Sequence, residues 1–315
     1  MIRAVLSGHY REDVPYPAAM VNITNHCNLS CKHCFIYREG NPNEAPESIR
    51  AEMSEADILE TLAGLRDRHG IASMLWMGGE PLLKRRLLAE GVRLFPRNTI
   101  TTNGTVPLID FGPLAHYVVS LDGPEDINDE LRGAGTFRRV MRNLDRLAPD
   151  FVSTVQVQCV VTRRNQHRLD EFLTQLRETR AGWVNFSFYV PRLNDTSGNA
   201  WATNSERADA VGEILRLKQR HGGFVRNSTR SLELMLPPAC DAVTARCPAQ
   251  DAVLPLWLED DHFATPFCCY GNDVDCSRCG AWVVFHLAAR RDQDEALVPS
   301  AGDRKPAQHG WFAAV

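Results

Sequence analysis

Between residues 20 and 190, six short β-like runs alternate with helical stretches, and this alternation narrows the fold more than any other feature of the chain. The runs are MVNIT at 20–24, SMLWM at 73–77, NTITT at 98–102, HYVVS at 116–120, STVQVQCVV at 153–161 and WVNFSFYV at 183–190. Helical patterns separate them over 53–70, 82–95, 136–147 and 165–180. In the first of these, Ser54 is placed to cap the amino end, Ile58, Leu62 and Leu65 form an apolar stripe, and Gly70 stops the helix. Strands joined through helices pair in parallel. The pattern therefore predicts an α/β fold, a partial (β/α)6 TIM-like barrel left open because six strands fall short of the eight that close one.

A further helix is predicted over 205–220, after which the periodicity fades. Pro237, Pro238, Pro248, Pro255 and Pro266 then punctuate a cysteine-rich stretch. The expected organisation is a barrel over 1–190, a small cysteine-rich domain over 191–300 and a loose tail over 301–315. A chain of 315 residues, 44% of them hydrophobic, is long enough to bury such a core. Its net charge of −4 comes from mixed signs, and the basic pairs are scattered, which argues against a nucleic-acid partner. The first twenty residues lack the apolar core of a signal peptide. The run AWVVFHLAA from Ala281 is too short to span a bilayer. A reduced, cytoplasmic setting without membrane attachment is expected, and in that setting cysteines serve metals or catalysis rather than disulfides.

The ten cysteines are unevenly spread. Cys27, Cys31 and Cys34 fall within eight residues, Cys159 stands alone, and Cys240, Cys247, Cys268, Cys269, Cys276 and Cys279 lie in the last third. Three thiols are an odd number for disulfides and one short of a closed zinc site, although His26 or His33 could complete one. Each early strand also runs into an unusual turn. The first meets the three cysteines, the second Gly78-Gly79-Glu80-Pro81, the third Thr102-Asn103-Gly104, and the fourth Ser120-Leu121-Asp122-Gly123-Pro124. In a parallel sheet these turns lie side by side at the carboxyl edge of the strands, where ligands bind.

Cys27-x3-Cys31-x2-Cys34 after one strand and Gly78-Gly79-Glu80-Pro81 after the next resemble the radical S-adenosylmethionine (radical SAM) enzymes over residues 20–190. The resemblance implies a [4Fe–4S] cluster on the three thiolates, with its fourth iron open to the amino and carboxylate groups of S-adenosylmethionine. An electron then releases a 5′-deoxyadenosyl radical, which takes hydrogen from the substrate. It implies further that Gly78, Gly79 and Glu80 hold the methionine amino group, with Thr102 and Asn103 beside it. Ser120 and Asp122 would meet the ribose hydroxyls, Arg132 the methionine carboxylate, and His33 the adenine. A reducing partner such as flavodoxin or ferredoxin is implied as the electron source.

The C-terminal six loosely resemble the auxiliary-cluster extensions (SPASM or twitch) of many such enzymes, so two clusters are expected. Cys268, Cys269, Cys276 and Cys279 lie close enough in sequence to supply four ligands, while Cys240 and Cys247 contest a place; a zinc ribbon is the competing use of Cys276-x2-Cys279. Cys247, standing apart and followed by Pro248, is the candidate to remain free and return hydrogen to a substrate radical. That reading makes the chain an epimerase acting on a small polar metabolite, such as a sugar or aminoglycoside. A dehydrogenase, a dehydratase or a peptide maturase is the alternative, the last disfavoured by the 26 residues before Cys27 and the short extension. An iron–sulfur or zinc binding module is the non-enzyme reading. Three lesser features remain: Cys159 reads as a buried small hydrophobe, Asn185, Ser187 and Tyr189 share one strand face, and Glu259 to Asp261 read as a solvated acidic turn.

Overall fold

The computed structural model describes residues 6–38 and 52–296, so the expected tail at 301–315 lies outside the described residues. Six strands form the parallel series anticipated: β2 (Ala18–Asn22), β3 (Ser73–Met77), β4 (Arg97–Thr102), β5 (Ala115–Ser120), β6 (Thr154–Val161) and β7 (Trp183–Phe188). Each pairs in parallel with the next, Ala18 opposite Ser73 and Gln156 opposite Trp183 among others. Helices α1 (Glu55–His69), α2 (Arg85–Gly91), α3 (Glu125–Arg132), α4 (Thr136–Asp145) and α5 (Leu169–Leu176) lie between them in the chain. In α1 the Ser54 hydroxyl accepts the Asp57 amide, Gly70 closes the other end in the left-handed region, and Ile58, Leu62 and Leu65 are buried. Each of those three apolar side chains contributes about 1.5–3 kcal/mol by leaving water.

The sheet does not stop at six strands. β1 (Leu6–Gly8), β8 (Val253–Glu259) and β9 (His262–Thr265) extend it to nine in the order β1-β9-β8-β2-β3-β4-β5-β6-β7. β8 pairs in parallel with β2, β9 returns antiparallel, and β1 and β7 are the edges, so the barrel is open. Within the cysteine-rich stretch, where the sequence pattern offered no strand, the chain thus comes back to the first barrel strand. Helices α6 (Asn204–His221), α7 (Thr229–Glu233), α8 (Ala239–Ala245), α9 (Pro248–Ala252) and α10 (Trp282–Ala296) complete the fold. One hydrophobic cluster runs from Tyr16 through Trp76, Phe186 and Cys240 to Phe285, spanning both sides of residue 190. Among the described residues, no helix is long and apolar enough to cross a membrane.

Candidate functional site

The carboxyl ends of β2 to β5 converge on a cavity of about 270 Å³. Its rim carries Cys27, Cys31, Cys34, Gly78, Gly79 and Asn103. Gly78 sits at φ +153°, and a Cβ there would stand 2.6 Å from the Thr24 carbonyl oxygen; one on Gly79 would stand 2.2 Å from that of His26. Only glycine lets the backbone come this close to the cysteine loop. Cys27 accepts the Leu29 amide at 3.4 Å, and the Asn103 side-chain amide, 3.9 Å from the same sulfur, also reaches Asn28 at 2.9 Å. Burial pushes the Cys27 thiol up to about 12 and raises Cys31 and Cys34 as well. Such thiols give up their protons on meeting a metal.

Glu80 and Asp122, both named for the cofactor site, do not line the cavity. Glu80 is fully buried. Its Oε1 accepts the Leu82 amide at 3.0 Å and the Thr102 hydroxyl at 2.7 Å, and its Oε2 accepts the Asn103 amide at 2.8 Å. It ties the glycine turn to the end of β4, and burial raises its pKa despite these bonds. Asp122 accepts Arg132 Nε at 2.7 Å, Arg132 Nη2 at 2.6 Å and His33 Nε2 at 2.9 Å on Oδ2, and the Val160 amide at 2.8 Å on Oδ1. Burial works against its charge, but Arg132 and His33 outweigh it and hold the carboxyl well below the usual range. The three side chains expected at ribose, carboxylate and adenine therefore form one buried polar triad. Arg132, His33 and Ser120 line the cavity in front of it, and His33 keeps an unpartnered Nδ1.

Deeper in, the inward-facing residues of β4 to β7 are uncharged: Thr99, Thr101, His116, Gln156, Gln158 and Ser187. His116 stacks on Trp183 at 5.3 Å, and burial pulls its pKa down to about 4, so it is neutral at pH 7. Tyr189 joins this wall with Ser187, while Asn185 is buried and donates to Gln156 at 2.9 Å. Cys159 is fully buried within β6, as its sequence context suggested. Asp260, at φ +51°, turns the chain from β8 to β9.

A second cavity of about 260 Å³ is lined by five of the C-terminal thiols: Cys247, Cys268, Cys269, Cys276 and Cys279. Cys247, expected to stand apart and face the substrate, is on this cavity and does not line the first one. It is the residue before the first turn of α9, where Pro248 occupies the first helical position and the Gln250 amide donates to the Cys247 carbonyl at 3.3 Å. Cys240 is buried in α8 away from both cavities. The Tyr270 amide reaches Cys268 Sγ at 3.5 Å, much as Leu29 meets Cys27. Val190, Val253, Cys269, Tyr270 and Val283 line both cavities and so form a wall between them, with Cys269 and Tyr270 its polar members. Tyr270 packs against Phe35, the residue after Cys34, with ring centroids 4.8 Å apart, and Arg38 binds the Tyr270 carbonyl at 3.1 Å and Asp273 at 3.0 Å. Among the described residues, no three histidine, cysteine, aspartate or glutamate side chains close on a single ion. A cubane spreads its thiolates over a larger figure than one ion does.

The model of the radical SAM superfamily matches residues 21–182, just over half of the chain. The chain belongs to the radical SAM superfamily. Members use a [4Fe–4S] cluster and S-adenosylmethionine, and the glycine cradle beside three thiols fits both. Over 173 residues the chain is 30% identical to pre-heme d1 synthase of Dinoroseobacter shibae, covering 50% of this chain and 40% of that protein. It is 29% identical to mycofactocin maturase MftC of Mycobacterium tuberculosis over 169 residues, covering 48% and 39%. This radical SAM chain thus matches less than half the length of those relatives. Among solved structures, SuiB of Streptococcus suis bound to S-adenosylmethionine superimposes with a TM-score of 0.58 at 14% identity, covering 78% of this chain and 60% of that one. The enzyme anSMEcpe with bound AdoMet and a peptide gives 0.59 at 16%, covering 84% and 79%. At those identities the likeness is one of fold, an open parallel barrel with a C-terminal extension.

The sequence pattern missed the floor residues His116, Gln156 and Gln158, and also Phe35 and Tyr270. The floor residues lie inside ordinary strands. Tyr270 is marked only by its place beside the paired cysteines, a signal that could have been used.

Proposed function

We propose that this radical SAM enzyme oxidises a small, neutral, polar molecule. In this reading Cys27, Cys31 and Cys34 hold the family's cluster, and an auxiliary cluster takes four of the five thiols on the second cavity. The first cluster supplies the electron that opens S-adenosylmethionine to a hydrogen-abstracting radical. The observation that carries the reading is the shared wall of Cys269 and Tyr270, which joins the substrate cavity to the auxiliary one. A substrate that has lost a hydrogen atom becomes an oxidised product by losing one more electron and a proton, and this wall gives the electron a protein path. The floor of hydroxyls, amides and a neutral imidazole suits the hydroxyl groups of a sugar-like molecule. Among the described cavity residues Arg132 is the one permanent cation, and Asp122 already pairs with it. A polycationic aminoglycoside would find no carboxylate on that lining.

One observation favours epimerisation as the second reading. Five thiols exceed the four a cubane takes, and Cys269 also faces the substrate cavity. If Cys269 is the spare thiol, it can return hydrogen to the opposite face of the substrate radical, leaving a thiyl radical that one electron from the auxiliary cluster and a solvent proton restore, and so take over the role expected of Cys247. Single turnover in deuterated water, screened over neutral sugars and cyclitols by 5′-deoxyadenosine formation, separates the two. Oxidation yields a product two hydrogens lighter and one electron on the auxiliary cluster per 5′-deoxyadenosine. An inverted product carrying one solvent deuterium, with no net reduction, would overturn oxidation in favour of epimerisation.

A further inference from the structure

Arg207, in the first turns of α6, is 2% exposed. One terminal nitrogen, Nη1, donates to the carbonyls of Arg278 and Cys279, both at 2.9 Å. The other two, Nε and Nη2, are buried with no partner, and among the described residues Arg207 forms no salt bridge. The guanidinium lies 5.7 Å from the centre of the Phe188 ring. Its approach depends on residue 280 being glycine. A Cβ there would stand 2.8 Å from Arg207 Nη1 and 2.5 Å from Phe188 Cβ.

A buried, unpaired charge costs several kcal/mol and persists where a counter-charge meets it. The groups that can offset its charge are Cys279, Cys240 and Asp241. Asp241 is exposed and already bound to the Asn204 amide at 2.9 Å, and Cys240 lies off both cavities. Cys279 is the one of the three that lines the auxiliary cavity.

We propose that Arg207 is the positioning cation of the auxiliary cluster, anchoring its Cys279 edge and raising its reduction potential so that it accepts the substrate's electron. This rests on the presence of that cluster. The step is a one-electron reduction: the substrate carbon radical gives up the electron and a proton, and the cluster gains one negative charge. A fixed buried cation favours the more negative state, because low-dielectric surroundings leave the attraction poorly screened.

The test is a redox titration followed by electron paramagnetic resonance on the reconstituted full chain, for wild type, Arg207→Met and Arg207→Lys. In Arg207→Met the auxiliary potential is expected to fall by enough to change the electron-transfer equilibrium at least tenfold, which is about 59 mV for one electron. Arg207→Lys should stay within that margin, and the first cluster should not move in either variant. Loss of auxiliary iron in Met but not in Lys also supports the role of the charge. An unchanged potential in Arg207→Met, or loss of the cluster in both variants, would overturn it. Wild-type protein holding about four irons rather than about eight would instead remove the auxiliary cluster itself.

Discussion

Replacing Arg132 with methionine should destabilise the protein sharply, because it strands Asp122. The Asp122 side chain is 0% exposed and that of Arg132 9%, and both guanidinium contacts to Oδ2 are under 2.8 Å. Unit charges 4 Å apart attract by about 4 kcal/mol at an effective dielectric constant near 20. Desolvation offsets much of that gain while the pair is intact, yet removing one partner leaves the cost without the gain, about 3–5 kcal/mol. At about 2 °C per kcal/mol for a chain of this size, the melting temperature should fall by about 6–10 °C. Asp122→Asn should also destabilise, by stranding Arg132. The double variant should recover about 1–3 kcal/mol of the summed loss. Differential scanning fluorimetry of reconstituted protein, under anaerobic conditions at pH 7, reads all three. The pH dependence follows from Asp122 being held below its unfolded value near 3.9. Its contribution is fully present above that pH and is lost as pH falls through the lower folded value, so the wild type's melting temperature should gain nothing further from this pair between pH 6 and 8. A fall of under about 2 °C together with lost S-adenosylmethionine binding would rule out a stranded Asp122 as the cause. It would mean that Arg132 is held for the ligand and not for Asp122.

Two further outcomes follow from the cavities. Cys247→Ser should lose auxiliary iron by inductively coupled plasma analysis, since its sulfur shares the cavity of the other four; full iron with an abolished inverted product would return it to the donor role. Gly79→Ala, whose added methyl would meet the His26 carbonyl oxygen at 2.2 Å and the Tyr37 hydroxyl at 2.3 Å, should weaken S-adenosylmethionine binding at least about tenfold by calorimetry. An unchanged affinity would show that the cradle does not set the cofactor's position.

What the sequence revealed and what it hid have separate physical causes. The β2 to β7 series was readable because each strand carries its own apolar pattern and α1 its own stripe and caps in Ser54 and Gly70, whereas α3, without a side-chain cap, was not read from the sequence. These are local signals. β8 was not read, because its parallel partner, β2, lies more than 200 residues earlier in the chain, and the turn that joins it to β9 reads in the sequence only as a solvated acidic turn. The residues that end the strands were legible as a set, but not what they touch. Asp122 was expected to face the ligand and instead faces Arg132 and His33, since whether a carboxylate points to a cavity or behind it depends on partners distant in sequence. The same limit applies to Cys247. Distance along the chain suggested isolation, whereas α9 folds its sulfur back to the other four thiols.

Cys27, Cys31 and Cys34 should carry the cluster that cleaves S-adenosylmethionine, and the amount of 5′-deoxyadenosine formed with dithionite measures it. Reconstituted wild type should form 5′-deoxyadenosine, and each single alanine variant of the three should form none while keeping the iron bound at the C-terminal cavity. A triple-alanine variant that still released 5′-deoxyadenosine would show that these three thiols do not hold that cluster.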